Sequence, residues 1–412
     1  MSIGNSLWIG VSGLMAHGEA ISTVGDNIAN VSTVGFKRSR ASFNDMLGGE
    51  LNNSRLGGGV FLGGNQSIWQ QGTLAQTGNP LDVGISGGGM FVVKGNHAGQ
   101  NGQFYTRDGR FKMDASGTLV DMHGMKVQGY PITNGARGTS IGDLALGGRQ
   151  SAPVATTSAK MTLNLDSNAT MQTYDPANPN GTSSYSTSVT IHDSLGAPHQ
   201  ATVHFTRTPT NEWEWHATVD GSEVGGTAGT PVEIANGTMT FDTNGNLVTQ
   251  TTLASSASFT NATANQAIAF DFTGTTQNSG ASVISATNVD GHSAGSLIDV
   301  RINPDGTIEG IYDNGDTLAI AQLALADFAN NEGLMRQGSS LYAATRESGQ
   351  ALIDVAGSGG RGSLMSGALE QSNVDLSSEL VQLIAYQRAF QANSKTVTTA
   401  DEMMMEVTNL KR

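Results

Sequence analysis

Apolar residues recur every seven positions at the start of the chain, at Leu7, Leu14, Ile21 and Ile28, with Val11, Val24 and Val31 beside them. This spacing predicts one amphipathic helix over the first thirty residues, with a narrow apolar seam. At the other end Leu376, Leu383, Phe390, Val397 and Met404 keep the same interval, flanked by Leu380, Tyr386, Ala400 and Val407. Asn373 or Asp375 is the capping candidate for this second helix. Two seams at opposite chain ends suggest that the termini meet, the alternative being that each helix packs on its own domain. Gly4, Gly10, Gly13, Gly18 and Gly25 all fall in the first segment. At about 1 kcal/mol per interior glycine relative to alanine, that helix is marginal until something packs against it.

Between the helices the helical period disappears. The run over 48–72 is glycine-rich with isolated apolar residues and reads as an extended, loosely structured connection. From 73 to 147 short strand signals follow, such as Met90-Phe91-Val92-Val93, punctuated by Asp108-Gly109 and Ser116-Gly117 turns. Residues 151–285 form a composition island in which ten acidic residues face only Lys160 and Arg207. Its alternating stretches, such as Glu212-Trp213-Glu214-Trp215, and its Asn236-Gly237 and Asn244-Gly245 turn signals fit a second β domain. The stretch Leu297–Asp316 reads as strand, turn, strand, turn and resumes the earlier style.

The expected architecture is therefore mainly β with terminal α-helices: two nested β domains plus a coiled-coil-like helical core made by both ends. Residues 1–72 and 364–412 form that core with its connector, 73–147 and 285–363 the inner β domain, and 148–284 the inserted outer one. Composition supports an all-β body, with 54 glycines among 412 residues and only 14% charged.

The formal charge of -14 is spread rather than clustered, which argues against nucleic acid. Lys37, Arg38 and Arg40 form the only short basic run and read as a solvated helix end or turn. With no cysteine, neither a disulfide framework nor a thiolate metal site can exist. The N-terminus lacks a basic segment followed by an apolar one, and no stretch approaches the ~20 apolar residues of a membrane span. No membrane insertion is expected, and a chain that leaves the cell does so by a route that cleaves nothing.

Candidate chemistry is sparse. The eight histidines include no HExxH pair, and His204 and His216 sit in strand-like alternation, where a surface or satisfied sheet histidine is commoner than a ligand. Gly84–Gly89 lacks the Lys-Ser/Thr ending of a phosphate loop and reads as a turn. Asp305-Gly306 and Asp313-Asn314-Gly315-Asp316 lack the ligand spacing of a calcium loop and read as hairpin turns. No catalytic constellation, metal site or cofactor site is expected, and the chain does not read as an enzyme.

The segment Asn27-Ile28-Ala29-Asn30-Val31-Ser32-Thr33-Val34-Gly35-Phe36-Lys37 resembles the N-terminal signature of the flagellar rod and hook axial proteins. The segment Ser372-Asn373-Val374-Asp375-Leu376, continued by Tyr386-Gln387-Arg388-Ala389-Phe390, is similar to the matching C-terminal signature. The similarity extends inward through Leu81–Ile85, Phe104–Phe111 and Ala319–Gln322 and leaves only the 148–284 island unfixed. Rod members are usually shorter and lack a large inserted domain, so the hook branch matches better, with a distal rod subunit as the alternative.

The resemblance implies a non-enzymatic subunit that polymerises with itself into a curved tube acting as a universal joint, its terminal helices forming the inner wall. The implied partners are the rod, the hook cap, the hook-filament junction proteins and the flagellar type III export apparatus, and the implied place is the extracellular hook. Leu7, Leu14, Ile21, Ile28, Leu376, Leu383, Phe390, Val397 and Met404 are the expected assembly residues. Asn27, Asn30 and Gly35 are expected as turn and cap residues, with Gly35 meeting a positive-φ demand. Phe36, Asn373 and Asp375 complete the signature.

Overall fold

The computed structural model describes residues 3–51, 54–133, 135–209 and 211–409. The chain forms two compact units, one of Met1–Gly148, Asp299–Ile311 and Thr317–Arg412, the other of Arg149–Ile298 and Tyr312–Asp316.

The first unit contains both ends of the chain. Helix α1 spans Ile3–Ala29 and helix α2 spans Leu376–Asn409. Strands β1 (Ser39–Leu51) and β2 (Ser54–Ser67) follow α1 and pair antiparallel from Ser39 opposite Ser67 to Leu51 opposite Ser54. The glycine-rich run expected to be loose is thus the returning half of a long hairpin. Its backbone finds partners that composition does not reveal: β1 along one edge, and α1, where the Val60 N–H donates to Ser12 Oγ at 3.2 Å.

The sheet of this unit orders its main strands as Gly295–Ile302, Thr307–Tyr312, Thr317–Asp327, Lys126–Thr133, Met90–His97, Gln100–Thr106, Leu341–Ala343 and Met335–Gly338. Its middle strands read as continuous apolar runs because they are covered on both faces: Met90, Phe91, Val92 and Val93 are all buried, as are Leu323, Ala324, Leu325 and Ala326. Edge-to-face pairs lock the layers, Phe91 with Phe111 at 5.0 Å and Tyr105 with Phe328 at 4.8 Å. Gly84–Gly89, expected as a turn, is strand through Ser86, where Val83–Ser86 pairs with Ser363–Ser366.

The second unit packs a five-stranded antiparallel sheet, in chain order from Tyr185–His192 to Leu247–Ser255, with a smaller sheet built around Ser158–Asp166. Alternation decides which side chains go inside: Trp213 and Trp215 are fully buried, while Glu212 and Glu214 retain exposure. Strand Val283–Val289 pairs antiparallel with Ser158–Asp166, within the unit's main segment Arg149–Ile298. Asn236-Gly237 is not a turn but lies inside strand Pro231–Phe241, at a register shift. Glycine is needed there because a Cβ would collide with the Thr251 carbonyl and the Trp215 indole nitrogen.

Candidate functional site

The signature residues gather where the two ends of the chain cross. Asn27 is buried on the last turn of α1; its Oδ1 accepts from the Ser39 N–H at 2.8 Å, and its Nδ2 donates to the Ser39 carbonyl at 2.7 Å and to Glu379 Oε2 at 3.0 Å. One amide therefore ties α1, the start of β1 and the first turn of α2. Asn30 donates to the Asp26 carbonyl at 2.9 Å, satisfying a helix-end acceptor, and accepts from Thr33 Oγ1 at 3.0 Å. Gly35 has φ +68°, and a Cβ there would stand 2.8 Å from the Arg107 carbonyl carbon. Both the backbone conformation and the space require glycine. Its N–H donates to the Glu370 carbonyl at 2.8 Å.

From the other end, Asn373 accepts from the Arg38 N–H at 2.8 Å and donates to the carbonyls of Ile68 at 2.8 Å and Gln70 at 3.0 Å. Asp375 Oδ1 accepts from Ser377 N and Ser378 N at 2.9 and 3.1 Å, so Asp375 is the N-cap of α2 and Asn373 is the stitch to the hairpin base. The Phe36 ring lies 5.1 Å from the Arg336 guanidinium, whose Nη2 also donates to the Lys37 carbonyl.

Beneath this crossing sits a buried ion network. Lys37 Nζ donates to Glu370 Oε1 at 2.6 Å and to the Gln70 carbonyl at 2.9 Å. Arg107 Nη1 reaches Glu370 Oε2 at 3.1 Å, and the Gly72 N–H reaches Oε1 at 2.8 Å. The Lys37 and Glu370 side chains are 1% and 0% exposed. Burial outweighs the pull of Glu370 and sets the Lys37 ammonium below its ordinary value; burial also lowers Arg107. Lys37 is thus not the solvated cation its basic run suggested. Glu370, its partner 333 residues away, stands in no local motif, and no sequence signal available in one chain joins them.

The helices pack antiparallel through small residues. Gly10, Gly13, Ala16, Ala20, Thr23, Val24 and Asn27 form the buried face of α1. A Cβ on Gly10 would stand 2.8 Å from Val397 Cγ2, and one on Gly13 2.7 Å from Asn393 Cγ. His17 lies 5.2 Å from the Phe43 ring of β1 and 6.0 Å from Tyr386 of α2, and burial lowers its pKa. The heptad residues stand to the side: Leu7, Leu14, Ile21 and Ile28 are half-buried, as are Leu383 and Val397, whereas Leu376, Phe390 and Met404 are exposed. The absence of side chains on Gly10 and Gly13 lets the backbones approach, which puts the small residues at the contact and the larger ones at its flanks.

Among the described residues no group of three or more His, Asp or Glu could hold a metal ion, and no helix is long and apolar enough to cross a membrane. What the arrangement can do is hold two helices on a rigid polar knot while presenting apolar side chains outward.

Comparison with known families covers the same regions. Residues 7–37 match the flagella basal body rod protein family, 84–173 the flagellar hook protein FlgE/F/G D1 domain, 164–292 the flagellar basal body protein FlaE D2 domain, and 365–410 the flagellar basal body rod FlgEFG protein C-terminal family. The flagellar hook protein FlgE of Salmonella typhimurium is 40% identical over 413 residues, covering 97% of this chain and 98% of that one. That of Escherichia coli is 38% identical over 411 residues, with 97% and 98% covered, and that of Treponema pallidum 33% over 464 residues, with 99% of each covered. With its crossing built from the signature residues and its relatives aligned from end to end, the chain belongs to the flagellar hook protein family.

Proposed function

We infer that this chain is a structural subunit of the bacterial flagellar hook, which polymerises into a curved, flexible tube and transmits torque from rod to filament. The observation that carries the reading is the unfinished packing of the terminal helices. Leu376, Leu380, Val381, Ile384, Phe390 and Met404 of α2 are exposed in the single chain, as are Trp8 and Met15 of α1. Exposed apolar stripes of this extent mark surfaces that associate.

The assembly residues divide into two groups. Leu7, Leu14, Ile21, Ile28, Leu383 and Val397 flank the contact within the subunit, and Leu376, Phe390 and Met404 meet neighbouring copies. The buried knot around Glu370 fixes the angle at which the helices leave the β body, so that each copy presents the same surface. Export through the flagellar type III apparatus to an extracellular position, and contacts with rod, hook cap and hook-filament junction proteins, complete this reading. Their support is the resemblance of both chain ends to axial proteins. The structural role is the whole of the proposed activity, with no catalysis.

Negative-stain electron microscopy of the purified chain under precipitating salt tests the reading. The unaltered chain forms curved tubes, and Phe390→Asp, which places a charge in the exposed stripe, forms none while circular dichroism shows its β-sheet content unchanged. Tubes from the Phe390→Asp chain equal to those of the unaltered one would refute it.

A further inference from the structure

The α1 helix and the β1–β2 hairpin enclose an open apolar groove of about 620 Å³, lined by Trp8, Val11, Met15, Met46 and Phe61, with Glu19 at one end. Trp8 is 71% and Met15 74% exposed. Trp8, Met15, Glu19 and Asp26 form one exposed row along α1, turned away from Gly10 and Gly13, which meet α2 of the same chain. On α2 the exposed row is Arg388, Lys395, Glu402 and Glu406, turned away from Asn393 and Val397 and flanked by the exposed Met403 and Met405. Each helix thus has one face used within the chain and an opposite one left over.

Charge placement decides how the leftover faces fit. Glu19 and Asp26 are the only carboxylates of α1; Arg388 and Lys395 are the only cations of α2. Both pairs are seven residues apart, all four side chains are exposed, and none has an ion-pair partner among the described residues. One antiparallel register satisfies both pairs at once, setting Glu19 against Lys395 and Asp26 against Arg388. It also brings Glu406 to the Trp8 indole, an N–H donor, and Met403 and Met405 to the apolar groove. Sliding α2 by one heptad in one direction sets Glu402 against Glu19, and in the other direction leaves Lys395 without a carboxylate. Within a chain Gly13 lies beside Asn393 and Asn27 beside Glu379, eight residues away from this register and on the other faces, so it cannot form internally.

We propose that the α1–hairpin groove of each subunit receives the exposed face of α2 from a second copy, antiparallel to α1, with Glu19 on Lys395 and Asp26 on Arg388. The inference rests on the hook-subunit reading and names the contact that reading lacks. Because α1 and α2 run antiparallel both within a copy and across copies, neighbouring copies point the same way, as a tube of like subunits requires. The eight-residue offset between the two registers displaces the second copy by about 12 Å along the helices. Each α1 then stands between two α2 helices, its own and a neighbour's. The two surfaces differ, so pairing them leaves a free groove on one copy and a free α2 face on the other; such a heterologous contact builds an open polymer rather than a closed dimer. The apolar side chains supply the attraction, and the two ion pairs select the register.

The experiment uses the full chain at low ionic strength, where charges are least screened. Glu19→Lys with Asp26→Lys, and separately Arg388→Glu with Lys395→Glu, each raise the concentration needed for sedimentable polymer on the order of tenfold, from loss of two pairs and gain of repulsion. The chain carrying all four reversals recovers. Either reversed pair assembling like the unaltered chain, or the four-fold chain failing while its β-sheet signal is intact, would overturn the register. A second measurement exploits the absence of cysteine. Ser22 and Gln391 are exposed and lie between the two ion pairs of this register. Oxidised tubes of Ser22→Cys/Gln391→Cys give a ladder of covalent multimers, and monomer alone on a non-reducing gel would overturn the proposal. Failure of the unaltered chain to form tubes would instead break the hook reading itself, and this inference with it.

Discussion

The second unit, the outer domain of the sequence expectation, and the terminal helices use the same apolar vocabulary to opposite ends. In the outer unit Phe205, Trp213, Trp215 and Phe272 are fully buried; Trp215 meets Phe272 at 5.0 Å, and the Trp213 indole donates to Gln277 Oε1 at 3.0 Å. This core is complete within one chain. Among the described residues of α1 nothing bulkier than Val24 is fully buried, and on α2 only Glu379 and Ala400 are, while Leu376, Leu380, Phe390 and the methionines face outward. The proposed hook subunit would use that exposed stripe for contacts with neighbouring copies. At the base of the helices, within the first unit, the knot of Lys37, Glu370 and Arg107 sets geometry with a polar network rather than apolar area.

The strongest way to sharpen this comparison is to damage each region separately. Glu370→Ala leaves Lys37 and Arg107 buried without their anion, at a cost of about 3–5 kcal/mol. Chemical denaturation should show the inner unit unfolding earlier while the fluorescence transition of Trp213 and Trp215 stays in place. Trp213→Ala reverses the pattern, costing the outer unit about 3–5 kcal/mol through a cavity; here the inner transition is the one that stays.

Gly13→Ala forces a Cβ against Asn393, and a relaxed helix contact costs about 1–3 kcal/mol. The loss should appear as faster amide exchange along α1 and α2, with the outer unit unmoved.

Acid separates the units by a smaller margin. His204 lies buried in the outer unit with Nδ1 unpartnered, and burial, then the neighbouring His216, pushes its pKa below the ordinary 6.5. The folded state therefore binds fewer protons than the unfolded one. The contribution is intact above pH 6.5 and is lost as pH falls below it toward the depressed folded value. The outer unit's denaturation midpoint should drop over that window, and less so in a His204→Gln chain.

Smallest is Gly18→Ala. Nothing stands within 4 Å of a Cβ there, so the single chain should gain roughly 1 kcal/mol or less of helix stability, read as added helicity of the monomer.

Much of this organisation was legible in the residues. Heptads placed both helices, and Asp305-Gly306 and Asp313–Asp316 marked the turns of a real meander, with strands at Gly295–Ile302, Thr307–Tyr312 and Thr317–Asp327. What escaped shares one physical feature: it depends on partners distant in sequence. The glycine-rich run became a hairpin because β1 and α1 flank it. Lys37 became a core residue because Glu370 arrives from the far end of the chain. Gly237 marked a close approach over Trp215 rather than a reversal, since a glycine's missing Cβ serves either purpose and only tertiary packing decides which. The seven-residue period marked both helices, but period alone does not say whether the partner is the same copy or the next.

Hydrogen exchange of the full chain, measured as monomer and again as assembled tube, tests the central claim most directly. The account predicts that protection gained on assembly concentrates in α1 and α2, while strands Ser158–Asp166 and Glu212–Asp220 of the outer unit are already protected in the monomer and change little. Terminal helices as protected in the monomer as in the tube would contradict it.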